Sequence, residues 1–140
     1  MKIVLLLLSM FLALNGARID DFADGVGYER DYNTAKAKAL ELGKPIMLLV
    51  VADYCPWCKK FERKTLEDEQ INKTLQKDFV PIVIDKAKDK GSYPDEYNAS
   101  LIPAIYFIDP KTEKKLYEIV AYKSKQEFLE ELEVLKGELK

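Results

Sequence analysis

The sequence predicts an α/β domain built on a central mixed sheet of about four strands flanked by helices. Three observations predict it. The run Ile46 to Ala52 is apolar without alternation, as in a strand covered on both faces. A second strand candidate, Val80 to Asp85, follows through helical sequence, which makes the two parallel. The last two strand candidates are separated only by the turn Asp109-Pro110-Lys111-Thr112, which makes them an antiparallel hairpin.

The elements follow in order. Lys2 and the apolar run Ile3 to Leu14 have the form of an export signal, too short to cross a bilayer comfortably. Gly16 and Ala17 place cleavage after Ala17, so that 1–17 is a signal peptide; an uncleaved membrane anchor is the alternative. Residues 18–31 are polar and Gly-containing and are expected to form a flexible arm, with the folded domain spanning 32–140. Tyr32, Ala35, Ala39 and Leu42 recur at helical spacing, and Gly43 stops that helix. After the first strand a helix starts at Pro56, with Phe61, Thr65 and Leu66 on its inner face, and another starts near Asp68, with Ile71, Leu75 and Phe79 four apart. Pro81 argues that the second strand pairs fully only from Ile82 onward. Residues 86–100 form a charged loop with a short helix around Asp95–Asn98. Ala104–Ile108 and Leu116–Ala121 are the third and fourth strands, and a final helix from Ser124 carries the stripe Phe128, Leu132, Leu135 and Leu139.

Composition narrows the function. The chain has 140 residues, 48% hydrophobic and 33% charged, enough for one domain with a real core. Its 22 basic and 24 acidic residues show no basic stripe, which argues against nucleic acid. There is no histidine, the most versatile general base and metal ligand.

Cys55 and Cys58 are the only cysteines, in the motif Cys55-Pro56-Trp57-Cys58. Pro56 suits the first turn of a helix, whose free N–H groups and positive dipole end then favour thiolate at Cys55. Cys55 is thus the expected attacking sulfur, and Cys58, one turn deeper, the resolving one. Competing uses of the pair are weaker. Zinc needs about four N or S ligands. Covalent haem attachment places histidine where Lys59 stands. A disulfide across so short a loop constrains little of the unfolded chain, though a structural clip in a non-catalytic binding module stays open.

The stretch from Lys44 through Cys55-Pro56-Trp57-Cys58 to Glu62, with Ile102-Pro103 before a later strand, resembles the thioredoxin superfamily over about residues 32–136. It is similar to exported thioredoxin-like proteins and to the reductase end domain of periplasmic electron-transfer proteins. The resemblance implies a thioredoxin-like fold and a protein thiol–disulfide oxidoreductase, periplasmic or secreted, with no bound cofactor. Its partners would be protein substrates carrying cysteine pairs and an upstream redox protein. A reductase is the favoured direction; an oxidant or isomerase is the rival. Pro103 matches the family's cis-proline, and Ile102 would offer its backbone to an extended substrate segment. Trp57, at the rim, is expected to face a partner. Tyr54, Tyr93, Tyr97 and Tyr106 are assigned to packing or surface, and Lys59 and Lys60 to solvent. One departure stands out: the buried acid that thioredoxins carry six residues before the first cysteine is Leu49 here. Proton handling would pass to water, Asp53 or an unidentified group.

Overall fold

A computed structural model describes residues 18–140. The expected signal peptide, 1–17, lies outside the described residues. Four strands form one sheet in the order β2-β1-β3-β4: β1 Ile46–Val51, β2 Val80–Asp85, β3 Ala104–Ile108 and β4 Lys115–Val120. β1 pairs parallel with β2 and antiparallel with β3, and β3 pairs antiparallel with β4. Among the described residues five α-helices flank it: α1 Arg18–Val26, α2 Tyr32–Leu42, α3 Pro56–Phe61, α4 Glu69–Asp78 and α5 Lys125–Glu138. A π-helical turn, Glu62–Leu66, continues α3. The expected mixed sheet with flanking helices is therefore present.

The apolar run of β1 is explained by its place in the middle. All six residues are buried. Met47, Leu49 and Val51 face a core that includes Phe22, Phe61, Ile71, Leu75, Phe128 and Leu132. Ile46, Leu48 and Val50 face a second core with Tyr32, Ala35, Ala39, Tyr93 and Tyr97. Strand alternation places successive side chains on opposite faces, so a strand with helices on both sides has no position left for a polar residue.

Residues 18–31 are not a loose arm. α1 buries Ile19, Phe22, Ala23 and Val26, a helical i, i+3, i+4, i+7 stripe that the surrounding aspartates and glycines disguise. Gly27 then takes φ +77° to turn the chain. Glu29 pairs with Ile82 on the outer edge of β2, donating its N–H to Pro81 and accepting from Val83. That pairing also corrects the expectation for Pro81. Val80 N–H already reaches Pro45 across the ladder, so the ring nitrogen of Pro81 faces the outer edge, costs β2 no bond to β1, and the strand begins at Val80. Two stripe residues are also reassigned: Leu42 and Leu139 sit at helix ends and are 49% and 41% exposed.

Side-chain oxygens cap three helices. Asp31 accepts Thr34 N–H, Asp68 accepts Ile71 N–H, and Ser124 and Glu127 close a reciprocal capping box. Each cap carboxylate is held below its usual range: Asp31 by Thr34 N–H, Asp68 by Lys125 and then Ile71 N–H, Glu127 by Ser124 N–H. A folded-state pKa below the unfolded value of about 4 stabilises above that value, and the gain is lost as pH falls through the folded value. We therefore expect the urea midpoint to fall with acidification below about pH 5, and the triple variant Asp31→Asn, Asp68→Asn, Glu127→Gln to show a shallower fall. Equal slopes for the two proteins would count against the caps.

Candidate active site

Ala52 ends the buried run after β1, and the chain turns with Cys55 N–H bonded to Ala52 C=O at 3.2 Å. Cys55 (φ −97°, ψ 103°) is the N-cap of α3, and its Sγ accepts the N–H of Cys58 at 3.1 Å. Pro56 occupies the first helical turn, where no N–H is needed. Cys55 and Cys58 are joined in a disulfide with Cα atoms 5.2 Å apart, within the ordinary range. Cys55 is 7% exposed and Cys58 fully buried, so the order of access is the expected one, although Cys55 is itself buried and not the exposed residue the sequence implies.

The Ile102–Pro103 bond is cis, as the resemblance implies. It comes from the far end of the chain to lie across the motif, with Ile102 C=O 3.9 Å from Cys55 Sγ. Pro103 is buried, and its carbonyl is tied to Ala121 N–H at 2.9 Å. Neither the N–H nor the C=O of Ile102 makes a backbone–backbone hydrogen bond among the described residues. Around the disulfide stand three exposed apolar side chains: Tyr54 at 72%, Trp57 at 57% and Leu101 at 68%. Trp57 does two things at once. One side packs on Tyr122 with centroids 5.7 Å apart, and more than half of the residue remains open. Lys60 is not simply solvated: its Nζ lies 5.0 Å from the Trp57 ring and 4.7 Å from Tyr122. Tyr122 in turn meets Phe61, which meets Phe128, so an aromatic chain runs from the rim into the core. Of the remaining tyrosines, Tyr93 and Tyr97 are buried packing residues.

A buried acid stands close in sequence to the motif, on a different element from Leu49. Glu62 is 1% exposed and follows Cys58 by one helical turn, its N–H bonded to Cys58 C=O. Residues i and i+4 share a helix face, with Cβ atoms about 5–6 Å apart. Arg18 Nη1 lies 2.6 Å from both Glu62 carboxylate oxygens. Burial is the largest influence on this carboxyl and raises its pKa; Arg18 opposes it without cancelling it. Such a group costs stability as pH rises and returns it as pH falls, opposite in sign to the caps. Asp53 pairs with Lys88 and lies 4.0 Å from Arg18 Nε. Sequence reasoning missed Glu62 because an acid within Lys59-Lys60-Phe61-Glu62-Arg63 looks like one more solvated helix charge. Its place one turn after Cys58 was the available signal.

A family model described as thioredoxin-like matches residues 28–110. The chain belongs to the thioredoxin-like family. Its cysteine pair is closed at the head of a helix, with the cis-proline bond beside Cys55. Among curated proteins it is 33% identical over 103 residues to the thiol:disulfide interchange protein DsbD of Yersinia enterocolitica, covering 71% of this chain and 18% of the relative. The chain spans between 18% and 53% of the length of the first curated relatives it matches. Among solved structures it is similar to a Thermus thermophilus thioredoxin, with TM-score 0.64 and 21% identity over 78% of this chain and 86% of that one. The oxidised C-terminal domain of Neisseria meningitidis DsbD matches with TM-score 0.57 and 19% identity, over 76% of this chain and 97% of that one. At these identities the structural likenesses establish the thioredoxin fold alone.

Proposed function

We propose that this thioredoxin-like protein works in the cell envelope as a reductase of disulfides in other proteins. Cys55 attacks, Cys58 resolves, and Glu62 takes the resolving thiol's proton. The observation that carries the reading is the placement of Cys55 Sγ. It sits on the N-cap of α3, receives Cys58 N–H, and lies 3.9 Å from the carbonyl oxygen of Ile102. A thiolate there is stabilised by the hydrogen bond and the helix end, and is positioned for an incoming disulfide.

The partner's segment adds as a short strand along Ile102, against the buried ring of Pro103, with its apolar side chains on Tyr54, Trp57 and Leu101. Envelope location is supported by the export-signal form of 1–17 and by the likeness to DsbD. The reducing direction is the one implied by the sequence's resemblance to the reductase end domain of periplasmic electron-transfer proteins.

The reduction potential separates the directions. A reductant is expected near thioredoxin's value of about −270 mV, measured by equilibration with glutathione redox buffers. A value near about −120 mV would assign the protein to disulfide formation instead.

A further inference from the structure

One cation reaches the reaction from an element that carries none of the cysteine motif. Arg18 opens α1 and lies 44 positions from Glu62, yet its Nη1 meets both carboxylate oxygens at 2.6 Å. Its Nη2 donates to Ala52 C=O at 3.3 Å, on the backbone that delivers Cys55. The guanidinium therefore ties the acid one helical turn after the resolving cysteine to the turn that presents the attacking one. We propose that Arg18 is a positioning residue for the resolving step: it holds the Glu62 carboxylate ionised and turned toward the Cys58 end of α3. This rests on the cysteine chemistry proposed above and adds to it a role for the N-terminal helix.

The surroundings of Glu62 leave that task to Arg18. The Glu62 side chain is 2% exposed, and among the described residues Arg18 is the one cation within ion-pair distance of it. Glu67 and Asp53 act on Glu62 in the same direction as burial, toward protonation. Asp53 is itself engaged by Lys88. Asp21, Lys59, Arg63 and Glu67 share with Arg18 the open cleft that leads to Glu62, which gives protons a route to water. Without the guanidinium, burial and the two neighbouring acids would act on the carboxyl unopposed and favour its protonated form, which cannot accept a proton.

The step balances as follows. With a partner bonded to Cys55, the Cys58 thiol passes its proton to Glu62. The Cys58 sulfur attacks Cys55 Sγ, and the bond between Cys55 and the partner's sulfur breaks. The partner leaves as a thiolate, so that its former disulfide has gained two electrons and the cysteine pair has lost two. Glu62 then returns its proton to water through the cleft.

A single-turnover reaction of the reduced protein with dithiobis-nitrobenzoate tests this, because the first thionitrobenzoate released reports Cys55 and the second reports Cys58. Arg18→Met keeps the aliphatic stem and removes the charge. The first release is expected to stay within about twofold of the unmodified protein. The second is expected to slow about tenfold at neutral pH, with the midpoint of its pH dependence moved about 1–3 units alkaline. Arg18→Lys should recover most of that displacement. A midpoint that stays put in a folded Arg18→Met protein overturns the proposal and leaves Arg18 a purely structural tie. Absence of a second release from the unmodified protein would instead defeat the redox reading itself. If Arg18→Met does not fold, NMR of the unmodified protein decides. The chemical shifts of the Arg18 guanidinium nitrogens must follow the ionisation of Glu62 read at its carboxyl carbon, and guanidinium shifts that do not follow it overturn the coupling.

Discussion

Cys58→Ala will convert this protein into a trap for its partners. Cys55 keeps its N-cap position, because the N–H it accepts belongs to the backbone of residue 58 and survives the substitution. Attack on a partner disulfide then proceeds and stops at the mixed disulfide, since no second sulfur is in reach. Turnover of a protein disulfide substrate should drop to the rate of the uncatalysed exchange. Non-reducing electrophoresis should show higher-mass species that collapse on adding dithiothreitol. Cys55→Ser should form none of them, because the remaining thiol, Cys58, is fully buried. Equal trapping by the two variants would refute the assignment of attacking and resolving roles. A non-catalytic module using the pair as a clip predicts no trapping by either one.

Phe61→Ala should be among the most destabilising single changes. Phe61 is 1% exposed on α3 and packs edge-on against both Tyr122 and Phe128. Truncating a buried Phe to Ala costs about 3–5 kcal/mol, transfer and cavity effects together. Domains of this size are stable by only about 5–15 kcal/mol, so the midpoint of thermal unfolding should fall by roughly 10–20 °C. The loss should also reach the site, because the same ring supports Tyr122, on which Trp57 rests. Trp57→Ala is the matched control. It removes a ring that is more than half open, and surface changes usually stay within about 0.5 kcal/mol. Urea unfolding of both variants checks the contrast. A loss below about 1 kcal/mol for Phe61→Ala would show that the aromatic chain is not part of the supporting core.

Local signals in the chain were sufficient for much of the architecture. A strand buried on both faces leaves no polar position, so β1 announced itself. Gly43 (φ +65°), Asp68 and Ser124 marked helix ends because their backbone or side-chain chemistry acts within a few residues. Cys55 and Cys58 were legible for the same reason: one helical turn carries both, and Pro56 starts it. Where local chemistry was ambiguous, expectation failed. The α1 stripe was masked by charge and glycine. Pro81 looked like an interruption until its ring nitrogen was seen to face the edge away from β1.

What the sequence determined by itself was everything set by near neighbours: element types, parallel and antiparallel connections, and a cysteine pair at a helix start. What only the tertiary structure decided was which distant groups meet. β3 lies antiparallel beside β1, Ile102 reaches Cys55, and α1 brings Arg18 onto Glu62. Chain closure over dozens of residues is driven by burial shared across the whole core, and that sum has no signature in any short stretch. The charge state of Glu62 follows from it, because the same carboxyl would be an ordinary solvated acid on an exposed helix and becomes a candidate proton acceptor only when buried against a guanidinium.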